Sequence, residues 1–455
     1  MNSNIAEDII RKALNRGCDE AEVFIKNARG ISVEVKSGKV EALKASLDFG
    51  IALRVIKKQK TGFSFTTSPD GIGKILEEAL DGAEWTHEDK YAGIPDSMPS
   101  TELLIFDKQI EALKDEDIIK DAILLEESAM TLDERIKKVR KAEVSSGAGS
   151  TVIINSKGLN ASYRSTYYSA IVTTLAQDAG GDSQTGWDYS GSRRRDNVDI
   201  KAVGKEASRR AIELLGSRKI SAVRVPVVLS AAVAVDFLEM LSASLSSEAV
   251  QKQRSFLTGK IGKNIISGII DIIDDGTMAW GTGTRPVDDE GVPALNKTVV
   301  SRGLLNGYLY NTYTAKKDGV SSTGNAVRGY KSLPGVGVTN IYIKPAGSQE
   351  TAVSSQNSGR KAIENNSLVK SVKRGLMVLG AMGVHTANPI SGDFSVGISG
   401  LWIENGEAAY PVKEAVMSGN ILDMFNKVEA VGNDLRFYGS AGSPSLLIGD
   451  MDISA

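Results

Sequence analysis

Apolar and polar positions divide the chain into helix-period and strand-period stretches. Ile5, Ile9, Ala13 and Leu14 recur at helical spacing before Gly17 supplies a stop, so an amphipathic helix opens the chain. Strand-like runs follow: AEVFIK, GISVEVKSGKVEALKAS, DFGIALRVI and KTGFSFTT. Val33 and Val35 alternate with polar neighbours, and Ser37-Gly38 and Lys60-Thr61-Gly62 read as hairpin turns. Pro69-Asp70 opens a second helix through Leu80. Residues 86–101 are polar, hold two prolines and read as a linker or surface loop.

A long helical pattern runs from Asp115 to about Met130, with Ile118, Ile119, Ala122, Leu125 and Ala129 along one side. From Lys137 to Gln177, polar–apolar alternation and β-branched residues predict meandering antiparallel strands. Residues 178–197 are Gly- and Ser-rich and read as an exposed loop. Asp199 to Leu215 is another helix, ended by Gly216. RVPVVLS is a short apolar strand, and Ser230 suits the N-cap of a helix over residues 231–246. Beyond it, G-x-G and S-G pairs separate short apolar runs such as SVGISGLWI and SLLIG, the texture of a large antiparallel sheet with tight turns. No fixed-period repeat occurs. The expected class is α+β. An N-terminal α+β domain over 1–220, with a subdivision near 86–110, precedes a C-terminal domain over 225–455 dominated by antiparallel sheet.

Composition narrows the chemistry. Across 455 residues, 41% apolar and 24% charged suit a globular protein with a sizeable core. Lys plus Arg is 54 and Asp plus Glu is 56, a formal net charge of −2 that argues against nucleic acid and against polybasic membrane attachment. The acid-containing N-terminus is not a signal peptide, and no apolar run is long enough for a transmembrane helix. The single cysteine, Cys18, excludes an intrachain disulfide and reads as a packing residue in a cytoplasmic protein. Two histidines, His87 and His385, stand far apart in sequence, so neither an HExxH site nor any cluster of histidines can form.

Other motifs fail on inspection. Gly259-Lys260-Ile261 and Gly303-Leu304-Leu305 lack the Gly-Lys-Ser/Thr of a phosphate loop. Ser367-Leu368-Val369-Lys370 matches S-x-x-K and Lys60-Thr61-Gly62 matches K-T-G, but in reversed order and without Ser-Asp-Asn between them. Arg193-Arg194-Arg195, the one dense basic run, reads as a solvated loop, with contact to a peptide carboxylate or an acidic partner as the alternative. Trp187, Trp280 and Trp402 sit in Gly/Ser/Asp surroundings that could line an extended groove.

Three stretches carry a resemblance: GYLYNTYTAKKDGVSSTGNAVRGY (Gly307–Tyr330), NPISGDFSVGISGLWIENG (Asn388–Gly406) and GNILDMFNKVEAVGNDL (Gly419–Leu435). With the early VEVKSGKVEALKASLDFGIALRV they resemble the TldD/PmbA family, once called modulators of DNA gyrase. The resemblance implies one of two kinds of subunit. The TldD kind carries a His-Glu-x-x-x-His helix and a later Cys that bind zinc for peptide hydrolysis. The PmbA (TldE) kind lacks these ligands and pairs with a TldD partner that holds the zinc.

In this chain the matching helix is SAAVAVDFLEMLSASLSSEAV, where Leu238, Glu239 and Ala243 occupy the motif positions. Neither Leu238 nor Ala243 has a lone pair for a metal, and NDLRFYGSAGSPSLLIGD near the C-terminus has no Cys. On a regular helix, residues i and i+5 lie about 140° apart, so the family motif must distort its helix. Phe237, Leu241 and Leu245 here continue an ordinary apolar stripe. Without a metal-bound water, Glu239 has nothing to activate.

The expectation is therefore a subunit with no catalytic residue and no metal of its own. It would sit in a cytoplasmic complex with a TldD-like metallopeptidase and help process extended peptides, bound by strand addition at residues the sequence does not name. The alternatives are a homodimeric peptide-binding or regulatory protein, or a metal-independent hydrolase around Ser391-Gly392-Asp393, a triplet that reads more simply as a turn.

Overall fold

The computed structural model describes residues 2–346 and 367–454. Its first layer is a sheet in the order β3-β2-β1-β4-β5-β6, antiparallel throughout. The strands are β1 (Glu20–Lys36), β2 (Lys39–Lys57), β3 (Lys60–Thr66), β4 (Ile136–Asn155), β5 (Asn160–Gln177) and β6 (Ser183–Ser192). Four helices cover one face: α1 (Asn2–Asn15), α2 (Ile75–Trp85), α4 (Asp115–Met130) and α5 (Ile200–Glu213), with the short α3 (Lys108–Ala112) between. Because side chains alternate along a strand, the odd positions of β1 supply that core. Val23 and Ile25 pack with α1 and α2, and Val33 and Val35 with α4.

The Ser37-Gly38 hairpin forms as expected, and Glu126 of α4 accepts from both turn N–H groups at 2.6 and 2.7 Å. The other expected turn does not. Lys60-Thr61-Gly62 lies inside β3, and the reversal is made by Lys58 and Gln59, both at positive φ. Gly62 serves packing instead: a Cβ there would strike the Ala79 carbonyl, so its absence lets α2 approach the sheet. The Gly/Ser-rich stretch 178–197 is corrected in the same way. Half of it is the edge strand β6, where Gly186 admits the Ala207 carbonyl and Ala211 N–H of α5. Residues 86–101 are irregular, yet Ile94 is buried and its N–H is held by Glu20. Pro69–Gly71 form only a 3-10 turn before α2 starts at Ile75.

The second half holds two more large sheets. In one, β7 (Val223–Leu229), β14 (Arg374–Met382), β15 (Asp393–Glu404), β16 (Glu407–Asn420) and β20 (Leu446–Ser454) pair in a closed ring, a small barrel, with β17 (Val428–Val431) on β20. In the other, β10 (Leu304–Leu305), β9 (Asn296–Ser301), β8 (Ile272–Asp275), β13 (Ile341–Ile343), β19 (Ala441–Ser443) and β18 (Arg436–Tyr438) follow one another. Two pairings, β7–β14 and β13–β19, are parallel; the rest of these two sheets is antiparallel. The class is α+β.

Between the two lies α6 (Ala231–Ala243), which ends three residues before the expected 246, at a C-cap on Ser244. Ser230 is its N-cap position but makes no side-chain cap bond, its hydroxyl being buried without a partner.

Candidate functional site

The apolar strand β7 delivers the chain into α6, whose Ala- and Leu-rich sequence favours helix. Ser230 N–H donates to the Val378 carbonyl of β14 at 3.0 Å, fixing the start of the helix to the barrel. Phe237, Leu238 and Leu241 have no exposed surface, as has Leu245 just beyond the helix. Phe237 meets the Phe394 ring edge-on at 5.0 Å. Leu238 thus points into the largest hydrophobic cluster of the chain, while Glu239 and Ala243 are exposed on another side of the helix.

Asp236 shares that outer side with Glu239 and Ala243, since three and seven residues bring a helix back to nearly the same face. Burial first, then the neighbouring Glu239 carboxylate, push the Asp236 acid up to about 6. Burial also raises Glu239. No ion pair is formed by either among the described residues. The helix packs against the 3-10 turn Val384–Thr386, where His385 is exposed. His87 is exposed in the coil after α2, in the other half of the chain. Among the described residues no three His, Cys, Asp or Glu side chains are placed to share a metal ion.

Ser391-Gly392-Asp393 forms a turn. Gly392 has φ 82°, Ser391 Oγ donates to Asp393 Oδ2 at 2.7 Å, and Asn420 Nδ2 spans Ser391 O and Asp393 Oδ1 at 2.8 and 2.9 Å. Those bonds from Asn420 and Ser391 hold Asp393 below its usual range. The aromatic residues do not line one groove. Trp402 is buried and stacked on Tyr410, Trp187 meets Tyr438, and Trp280 sits under Arg194. A cavity of about 570 Å³, lined in part by Pro226, Lys373, Arg374, Glu404 and Glu429, opens on the opposite face of β7 from α6. Cys18 is buried, and burial raises its thiol, which makes it unreactive packing.

The arginine triplet is not a solvated loop. Arg193 donates to the carbonyls of Gly281, Thr282 and Thr166 at 3.0, 2.8 and 3.3 Å, and burial lowers it to about 10. Arg195 pairs with Asp121 at 2.7 Å, leaving only Arg194 exposed.

Sequence reasoning also missed a buried ionic clamp between the halves. Arg54 of β2 donates to Glu290 at 2.9 Å and to Glu22 at 3.1 Å, and Arg328 pairs with Glu22 at 2.7 Å across the face of Phe24. Burial disfavours the Arg54 charge, but Glu22 and Glu290 outweigh it and raise the guanidinium above its ordinary range. Glu290 also accepts from Thr312 N at 2.8 Å. Asp288 accepts from three backbone N–H groups, those of Glu290, Val292 and Ala326, while burial and the Glu290 charge push it upward. Tyr330, at the end of the stretch Gly307–Tyr330, lies over Gly50 and donates to Asp48. The available signal was a lone charge inside each apolar run, Glu22 in AEVFIK and Arg54 in IALRVI.

Comparison with known proteins adds context to this geometry. Three family models match in order: PmbA/TldA metallopeptidase domain 1 over residues 21–83, the central domain over 108–215 and the C-terminal domain over 222–455. The metalloprotease PmbA of Escherichia coli O157:H7 is 29% identical over 463 residues, covering 99% of this chain and 96% of its own. A PmbA homolog from Buchnera aphidicola subsp. Acyrthosiphon pisum is 30% identical over 440 residues, covering 95% of this chain and 92% of its own. A crystal structure from Thermotoga maritima, classed with the modulators of DNA gyrase, superposes with TM-score 0.90 at 28% identity, over 100% of both chains. TldE from Thermococcus kodakarensis shares the fold, with TM-score 0.87 at 20% identity over 99% of this chain and 100% of its own.

Proposed function

The chain belongs to the PmbA/TldD metallopeptidase family, and from that premise we propose that it is the non-catalytic, PmbA/TldE-like subunit of a two-chain peptidase. One observation carries the reading. At the motif positions of α6, Leu238 is enclosed by aliphatic and aromatic side chains and Ala243 faces outward. A zinc ion needs nitrogen, sulfur or oxygen donors converging at about 2.0–2.3 Å; this pair offers no donor and does not converge. The residues present do not fit the metal. Glu239 remains, but a carboxylate without a metal-bound water or a nucleophile beside it lacks a proton to manage.

On this reading the zinc and the hydrolytic step reside in a TldD-like partner in the cytoplasm. This chain completes the chamber that receives an extended peptide. Its domains are residues 1–220, with a subdivision near 86–110, and 225–455. No helix among the described residues is long and apolar enough to cross a membrane. The test is reconstitution. The purified chain alone should bind no stoichiometric zinc and cleave no unfolded peptide, with or without chelator. Adding a TldD-kind chain from the same source should give a stable complex with zinc-dependent cleavage. Stoichiometric zinc in the isolated chain, or chelator-resistant cleavage by it, would overturn the proposal.

A further inference from the structure

The cavity of about 570 Å³ on the face of β7 away from α6 combines an apolar floor with charges that do not pair with one another. Pro226, Val372 and Leu447 make the floor, the last two buried. Lys373, Arg374, Glu404 and Glu429 line it too, and among the described residues none of the four forms an ion pair. Arg374 and Glu404 face each other across β14 and β15, yet Trp402 engages both. The Arg374 guanidinium lies 5.4 Å from the ring centroid, and Glu404 Oε1 accepts from Trp402 Nε1 at 3.2 Å. Lys373 and Glu429 are exposed, and their charged groups have no hydrogen-bond partner.

The sheet sets these two free charges at opposite ends of the floor. In the order β14-β7-β20-β17, Lys373 precedes β14, Pro226 lies on β7, Leu447 on β20 and Glu429 on β17. The N–H groups of Asn405 and Gly406 donate to the carbonyls of Lys373 and Val372 at 2.7 and 2.9 Å, which fixes the basic end. Glu429 is the extra residue where β17 bulges between Val428 and Ala430, and a bulge re-aims its side chain. A Cβ on Gly449 would come within 2.9 Å of Glu429 Oε1, so that glycine makes room for the carboxylate. Three strand spacings of about 4.8 Å separate β14 from β17, roughly 14 Å in all. Two long side chains reaching inward leave a gap that two extended residues fill, at about 3.3–3.6 Å each. We propose that this cavity binds a dipeptide with free termini and apolar side chains. Its carboxylate meets Lys373 and Arg374, its ammonium meets Glu429, and its side chains lie on the floor. Charge-assisted hydrogen bonds at both ends make recognition depend on free termini, which separates a product of peptide hydrolysis from an intact chain. The site needs neither zinc nor a second subunit, so it goes beyond the proposed role.

Titration calorimetry of the full-length chain with leucyl-leucine should show one saturable site with a dissociation constant of about 1 mM or below. N-acetyl-leucyl-leucine and leucyl-leucinamide each lack one terminal charge and should bind about tenfold more weakly or worse. Free leucine, which cannot reach both ends, should fall with them. Glu429→Gln should weaken leucyl-leucine about tenfold and leave the N-acetyl form unaffected, whereas Lys373→Gln should do the same and leave the amide unaffected. Both positions are exposed, so the near-ultraviolet circular dichroism of the variants should match the wild type. No saturable binding at millimolar dipeptide overturns the proposal. So does equal affinity for the blocked forms or for leucine, or variants that bind as the wild type does.

Discussion

Where β1 and β2 meet residues 285–330, the molecule buries Glu22, Arg54, Glu290 and Arg328 together, whereas around α6 it buries apolar side chains and keeps Glu239 on the partly exposed outer side. The clamp holds charge because every carboxylate there has a cation or a backbone N–H within reach. The helix core packs Leu238 among the aliphatic and aromatic side chains of a large hydrophobic cluster, where an unpaired charge would be costly. Buried charge is tolerated when paired and excluded when not. Leu238 is thus ordinary core, and the buried charge of the clamp lies where the halves join.

The first way to break the contrast is Arg54→Leu. It leaves Glu22 and Glu290 buried with less compensation and should destabilise by about 3–5 kcal/mol, read from the midpoint of chemical denaturation. If the loss is under about 1 kcal/mol, the clamp behaves like a surface pair and the comparison fails. Next comes Leu238→Ala, with an expected loss of about 2–5 kcal/mol, against a change within about 0.5 kcal/mol for the exposed Glu239→Gln. On the proposed reading, the latter also leaves cleavage by the reconstituted complex unchanged. Equal effects from the two would mean that the two sides of α6 are not core and surface.

Gly50→Ala is a smaller probe of the same clamp. The added methyl would fall inside the Tyr330 ring, so the ring must shift, at about 1–3 kcal/mol. Thermal denaturation should register it, and Tyr330→Ala in the same chain should remove the clash. The smallest effect concerns Asp236. Its acid is raised from 3.8 to about 6 in the folded chain, so folding favours the protonated form. The associated stability is complete below about pH 4, declines between about 4 and 6 and stays lost above. Asp236→Asn should therefore match the wild type near pH 4 and melt at a higher temperature above pH 6. A constant difference at all pH values would show that Asp236 does not titrate in this way.

Much of this molecule is readable along the chain. The Asp115–Met130 helix has the bounds that its apolar stripe indicates, and the Ser37-Gly38 turn joins the strands that its alternation suggests. Both depend on local signals: a 3.6-residue period, or a two-residue period broken by glycine. That Leu238 and Ala243 offer a metal no donor atom is legible too, because side-chain chemistry needs no coordinates.

Other residues acquire meaning only from elements distant in sequence. Gly62 and Gly186 look like turn glycines, yet each makes room for a helix backbone that packs on its strand. Arg193 sits in a polar run, but its guanidinium is aimed at carbonyls of residues 281 and 282. Glu22 and Arg54 look like interruptions in strands until Glu290 and Arg328 arrive from the other half. Periodicity determined most of the elements and the α+β class, and the stretches that resemble the family pointed to its PmbA/TldE kind. Tertiary packing alone decided which glycines are spacers and which charges are buried, because close approach and desolvation arise only between segments that the chain brings together from far apart.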